Sequence, residues 1–230
     1  MANFIAMQND LGSMAALIGD PIRANILWAL LDGRAYTATE LAVTVDTTPQ
    51  NLSMHLSKLV KADLLSVEIQ GRHRYYAFSR PEVAYAVESL AGLLPLKPKE
   101  AAVKEDPPIR TCRTCYDHLA GKIGVALAEG LVKQKLLDHT GKNFIPTPKG
   151  VRWFQEMGID CETLMGQRRS FARACLDWTE RRPHLAGSLG AAILQKMFDD
   201  NWVRRLPNTR AVQVTPKGRK ALSELLHLAV

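Results

Sequence analysis

One short stretch concentrates the reactive side chains: Cys112-Arg113-Thr114-Cys115-Tyr116-Asp117-His118. Cys112, Cys115 and His118 recur at every third position. On a helix starting near Thr111, that spacing puts all three on one face. A thiol at a helix N-terminus, with Arg110 and Arg113 beside it, has a lowered pKa and suits a redox or electrophile sensor. The same donors suit a thiophilic metal ion. Cys175 and His184 repeat the pairing further along the chain. If pseudo-symmetry gathers Cys115, His118, Cys175 and His184, they form a four-ligand zinc site. The unequal Cys-to-His spacing in the two pairs weighs against that match. The third reading is structural, with these side chains packed where two units join. A lone Cys-x-x-Cys without a second pair is a weak motif. Cys161 has no partner pattern and reads as core.

Enzyme chemistry is not expected. The chain has no glycine-rich phosphate loop, no Gly-x-Ser-x-Gly elbow and no His-Glu-x-x-His helix. Cys115, Asp117 and His118 have the residue types of a Cys-dependent triad, but such triads are assembled from distant segments. Composition is ordinary for a globular chain, with 47% hydrophobic and 23% charged residues. No apolar run suggests a membrane partner, and the first residues lack a secretory pattern. A cytoplasmic setting with reduced thiols is expected.

The net charge of +7 favours anionic partners. Its distribution is uneven. Residues 1–95 hold seven basic and nine acidic residues, and residues 96–230 hold 23 and 14. The boundary is marked by the Pro- and Lys-rich stretch 96–110, which reads as a linker.

The elements that must position these groups differ on the two sides. Beyond the linker, His118-Leu119-Ala120-Gly121 recurs as His184-Leu185-Ala186-Gly187, and Thr147-Pro148-Lys149-Gly150 recurs as Thr215-Pro216-Lys217-Gly218. Each first tetrad opens a helical pattern. Each second tetrad follows a short strand and caps a helix with Thr before Pro. Two related helix–strand–helix units are expected, at about 111–160 and 175–230. Tyr116, Trp153, Phe154, Phe171 and Trp178 offer an aromatic lining for a small-molecule signal. The pairs Arg168-Arg169, Arg181-Arg182 and Arg204-Arg205 are candidate anion contacts.

Before the linker, Asp20-Pro21 and Thr37-Ala38-Thr39-Glu40 are helix starts, the second a capping box. A further helix, about Pro49 to Ala62, buries Leu52, Leu56, Leu59 and Val60. Its other face carries Gln50, Asn51, Ser53, Ser57, Lys58 and Lys61, with Thr48 at its start. Two strand-like runs follow around Gln70-Gly71-Arg72, with Arg72 and Arg74 near the tip. Residues 50–80 hold five basic and two acidic side chains. A helix fits the DNA major groove, Gln and Asn pair with adenine edges, and hydroxyls and Lys hold phosphates. Thr48, Gln50, Asn51, Ser53, Ser57, Lys58, Lys61, Arg72 and Arg74 are therefore candidate DNA contacts. The expected fold is mainly α with small β-hairpin wings: a winged helix-turn-helix domain over 1–95 for DNA binding and dimerisation, then a regulatory domain over 111–230.

Residues 13–80 resemble the ArsR-type winged-helix regulators. The resemblance rests on Gly19-Asp20-Pro21-Ile22-Arg23, Ala38-Thr39-Glu40-Leu41-Ala42, Asn51-Leu52-Ser53-Met54-His55-Leu56-Ser57-Lys58-Leu59, Ala62-Asp63-Leu64-Leu65 and Gly71-Arg72-His73-Arg74-Tyr75-Tyr76. It implies a homodimer that binds a partly palindromic double-stranded operator and releases it on a signal. The family's cysteine box after Glu-Leu is absent, since Glu40-Leu41 leads into Ala42-Val43-Thr44-Val45. A metal, redox or small-molecule signal is therefore expected to act in the extension, at Cys112, Cys115, His118, Cys175 and His184 or among its aromatic residues. A DNA-binding scaffold without any effector is the competing reading.

Overall fold

The computed structural model describes residues 2–93, 106–207 and 209–228. Residues 96–105 of the expected linker, and Leu94 of the helix before it, lie outside the described residues. The chain divides into two compact units, Met1–Val87 and Glu88–Val230.

The first unit opens with α1 (Ala2–Ile18) and α2 (Pro21–Ala29). Asp20 caps α2 by accepting from the Arg23 amide at 3.0 Å, and Pro21 occupies the first helical position. Gly33, at φ 77°, ends the following 3-10 turn. After β1 (Tyr36–Thr37) comes α3 (Ala38–Thr44), held by the expected capping box between Thr37 and Glu40. α4 (Pro49–Lys61) starts at Thr48, whose hydroxyl accepts from the Asn51 amide. Leu52, His55, Leu56 and Leu59 are its buried stripe. β2 (Leu65–Gln70) and β3 (His73–Phe78) pair antiparallel, and β1 adds to the other edge of β3, giving the order β1-β3-β2. Gly71 supplies the positive φ of the hairpin tip. α5 (Pro81–Ala91) follows, and the boundary between the units falls within it.

The second unit is mixed helix and strand. Its first elements are α6 (Pro108–Thr111), β4 (Arg113–Cys115), β5 (His118–Ala120) and α7 (Gly121–Lys133). Then come β6 (Leu137–Thr140), β7 (Asn143–Pro146), α8 (Pro148–Glu156) and α9 (Cys161–Met165). The remainder is β8 (Arg173–Leu176), β9 (Pro183–Ala186), α10 (Gly187–Asp199), β10 (Val203–Arg205), β11 (Val212–Val214) and α11 (Pro216–Leu226). The segment expected to be a helix from Thr111 through His118 is instead mostly a hairpin. Only a single turn, α6, precedes it. The two-residue turn Tyr116-Asp117, with Tyr116 at φ 59°, folds Cys115 opposite His118.

From β5 to α8 and from β9 to α11 the element order is the same: strand, helix, hairpin, helix. Each half therefore begins with a strand that the expected helix–strand–helix plan lacked. Thr147 and Thr215 cap α8 and α11 by accepting from the Gly150 and Gly218 amides. Gly121 and Gly187 enter α7 and α10 with positive φ. The core repeats as well: Leu119, Ile123, Leu127 and Leu131 are matched by Leu185, Leu189, Ile193 and Met197, all buried.

The two halves exchange hairpins. β8–β9 joins β6–β7 through Asn143 opposite Arg173, giving the sheet β6-β7-β8-β9. β4–β5 lies against β10–β11 through the bridge of Arg113 with Ala211. The flanking amides match too: Phe144 donates to Ala172 and Ala174 to Lys142, while Val212 donates to Cys112 and Thr114 to Arg210. Among the described residues no single helix is long and apolar enough to cross a membrane.

Candidate functional site

The exchange brings the two hairpins of the second unit together. Cys115 faces His118 across β4–β5, and Cys175 faces His184 across β8–β9. Donor atoms of all four residues lie within 4.8 Å of one another. The two Sγ atoms are 4.0 Å apart and the two Nε2 atoms 3.1 Å apart. Cys115, His118 and His184 are fully buried, and Cys175 is partly exposed. The unequal spacing in sequence is a matter of loop length alone, since both pairs occupy the same register position in their hairpins.

Each imidazole has a carboxylate behind it. Asp117 Oδ1 is 3.1 Å from His118 Nδ1, and Arg169 holds the other oxygen of Asp117 at 2.6 Å. Asp177 Oδ2 is 3.6 Å from His184 Nδ1, beyond hydrogen-bond reach. The same oxygen accepts from Arg113 Nη2 at 2.8 Å and from the Gly121 amide at 2.7 Å. Its other oxygen accepts from the Thr179 amide and hydroxyl and from the Glu180 amide. The Arg113 guanidinium lies 4.7 Å from the centre of the Trp178 ring.

These neighbours set the charges. Burial opposes a proton on His118, but its hydrogen bonds to Asp117 and Cys175 outweigh that and raise it to about 9. Burial pushes Asp117 up, and His118 and Arg169 overcome it, leaving the carboxyl below its usual range. Asp177 is held well below that range, as Arg113 and His184 outweigh its burial. Burial and the neighbouring sulfur push the Cys115 thiol up. The hydrogen bond from Cys115 pulls Cys175 down against burial, aided by His118 and His184.

Cys112 does not join the cluster. It is buried in the core, and burial pushes its thiol up to about 12 against the charge of Arg113. The activation expected from a helix N-terminus is overturned there, because the residue sits at the hairpin's entrance. Cys161 is also in the core. Of the aromatic residues, Phe154 is fully buried, and Trp153 and Phe171 pack against the same core.

Asp177 was missed from sequence, and Arg113 and Asp117 were read in other roles, although a signal was present. Arg113-Thr114-Cys115-Tyr116-Asp117 and Arg173-Ala174-Cys175-Leu176-Asp177 share the pattern Arg-x-Cys-x-Asp. The two copies are 60 residues apart, whereas the His-Leu-Ala-Gly copies are 66 apart, so the four-residue matches do not reveal them.

In the first unit, α4 presents Gln50, Ser53, Ser57, Lys58 and Lys61 to solvent, and Thr48 is exposed at its start. Asn51 is half-buried and its amide donates to Thr47 Oγ1 at 3.0 Å, which ties it to the turn before the helix. His55 is buried, with Nδ1 3.3 Å from Asp20 Oδ1. Arg72 and Arg74 are exposed on the wing.

A family model described as "Helix-turn-helix domain" matches residues 18–68. Over 227 residues the chain is 41% identical to the "Uncharacterized HTH-type transcriptional regulator YdfF" of Bacillus subtilis (strain 168), covering 97% of this chain and all of that protein. The chain belongs to the HTH-type transcriptional regulators. This regulator is also 35% identical over 83 residues to the HTH-type transcriptional regulator CmtR of Mycobacterium tuberculosis (strain ATCC 25618 / H37Rv). That match covers 36% of this chain and 70% of CmtR. Among solved structures, the NMR structure of the cadmium metal-sensor CMTR from Mycobacterium tuberculosis covers 42% of this chain and 99% of its own. It does so at 33% identity and a TM-score of 0.33. The DNA-binding domain of this regulator is a winged helix-turn-helix that resembles the ArsR type, and the chain carries a further C-terminal region.

Proposed function

We propose that this regulator is a homodimeric repressor that reads its operator with α4 and the wing. It changes its hold on DNA when a metal ion binds at Cys115, His118, Cys175 and His184. The observation that carries the reading is the convergence of two thiols and two imidazoles at one buried point. Four such donors, each from a different strand, are what a metal-responsive regulator needs beside a DNA-reading helix. Dimerisation is supported by the ArsR-type resemblance. A signal alters DNA binding only by favouring one state over the other, typically by about 5–150-fold in affinity.

The test is operator binding by the full chain at fixed salt, comparing reduced and metal-loaded, reduced and chelated, and oxidised protein. A change of about tenfold or more on chelation, within the usual range of such couplings, is the expected result. Equal affinity in all three states removes the cluster as the signal site.

Residue roles on α4 separate by the same assay. Gln50→Ala should cost about 1–3 kcal/mol on operator DNA and nothing on random DNA, as loss of a base contact does. Lys61→Ala should weaken both alike and lower the salt slope by about one. Equal losses from Gln50→Ala on both DNAs would show that it reads no base.

A further inference from the structure

We propose that the cluster is a closed four-coordinate centre for a divalent ion of the zinc class. Each half of the second unit supplies one sulfur and one nitrogen, and Asp117 is a positioning residue for the His118 imidazole. The inference rests on the metal reading above and goes further, fixing the ion's class, its geometry and the groups that orient its ligands.

Distance is the first argument. Tetrahedral zinc with bonds of about 2.3 Å to sulfur and about 2.0–2.1 Å to nitrogen puts two sulfurs about 3.8 Å apart and two nitrogens about 3.3 Å apart. The Sγ pair stands at 4.0 Å and the Nε2 pair at 3.1 Å. Small shifts in side-chain torsion place all four on one ion. The contact between the imidazoles points the same way. Nδ1 of His118 faces Asp117, so in the metal-bound form its proton sits there and Nε2 turns to the ion. His184 turns Nε2 to the same spot.

Donor type is the second argument. The cluster offers sulfur and imidazole nitrogen and no oxygen ligand. Magnesium and calcium take oxygen ligands, while thiolate and imidazole select zinc and its soft neighbours. Four protein donors fill a tetrahedral ion and leave no place for water, which makes the site a holding centre rather than a hydrolytic one.

Charge is the third argument. Two thiolates and two neutral imidazoles balance a divalent cation. The carboxylates behind them are balanced separately, Asp117 by Arg169 and Asp177 by Arg113. A buried centre that is neutral shell by shell escapes the cost of unpaired buried charge. The two carboxylates follow the two cysteines at the same spacing because Arg-x-Cys-x-Asp occurs twice, and each half carries its own ligand pair.

The test uses the full chain, reduced and stripped with chelator, then titrated with Co2+ alone. One equivalent should bind and develop the intense visible bands of tetrahedral cobalt with thiolate-to-cobalt charge transfer in the near ultraviolet. Zn2+ should displace it, and Mg2+ should not. Cys175→Ser should lose part of the charge-transfer band. Asp117→Asn, on a side chain that is partly accessible, should weaken affinity about 10–100-fold with the visible spectrum unchanged. Circular dichroism of each variant establishes that it is folded. Failure to bind Co2+ or Zn2+ at all overturns the metal reading itself. Binding with the weak spectrum of six-coordinate cobalt, or with no response to Cys175→Ser, overturns the closed centre while the metal reading stands. Unchanged affinity in a folded Asp117→Asn overturns the positioning role.

Discussion

Asp177→Ala should unfold the second unit at much lower denaturant than the parent chain, with a loss of about 3–5 kcal/mol, the usual cost of removing one partner from a buried ion pair. Asp177 and Arg113 are both fully buried and 2.8 Å apart. Truncation leaves the guanidinium in the interior without a counter-charge. It also strands the Gly121 amide at the start of α7 and the Thr179 and Glu180 amides in the loop after β8. The bonds from Arg113 and Gly121 tie the two halves of the unit together, so the loss is not local. Tryptophan fluorescence is a suitable probe, because three of the four tryptophans (Trp153, Trp178 and Trp202) lie in this unit. A loss within about 0.5 kcal/mol, the range of ordinary surface substitutions, would show that Asp177 is not the hub that the geometry makes it.

Gly150→Ala should destabilise the same unit at or above the upper end of the about 1–3 kcal/mol usual for overpacking. A Cβ at Gly150 would lie 1.9 Å from the Leu136 carbonyl oxygen, which is backbone and cannot rotate away. Relief requires α8 to move off the start of β6, which breaks the hydrogen bonds that the Thr147 hydroxyl donates to the Lys135 carbonyl and the Thr147 amide to the Leu136 carbonyl. Gly218 meets the Trp202 carbonyl in the same way at 2.0 Å, so Gly218→Ala should behave alike. Gly166→Ala is the control, with its nearest atom at 3.6 Å. Thermal unfolding of the three variants checks this. Gly150→Ala as stable as Gly166→Ala would mean that α8 is free to shift.

What was legible in the sequence was what is local. Asp20 with Pro21, Thr37 with Glu40, and Thr before Pro at 147 and 215 each satisfy amides within three residues, so type and spacing suffice. The buried stripe of α4 follows from helical period in the same way. The hairpin at Arg113–Ala120 was misread because Cys112, Cys115 and His118 at every third position imitate a helix face. Cys115 and His118 do meet, but across a turn, and Cys112 is left in the core. Nothing near Asp177 in sequence announces Arg113, its partner 64 residues away. Likewise the carboxylates beside the imidazoles belong to a repeat that is masked by a loop of different length. His55 illustrates a polar residue on α4 that turns inward to Asp20, a contact that depends on how α2 and α4 pack.

The exchanged hairpins have a consequence for how the second unit folds and how it can be divided. Residue 113 bridges to 211, and 143 pairs with 173, so the sheets close only after distant parts of the chain have met. Contacts of such long range slow folding, because the entropy of closing large loops is spent before the strands repay it. Neither half completes its strand pairing by itself. Cut after α8, the first half keeps β4–β5 but loses the partner strands they lie on, and β7 is left with an open edge. A polypeptide carrying only one such half would complete its sheets by taking the hairpin of a second copy, and the pairing would bring two Cys-His pairs together about a twofold axis.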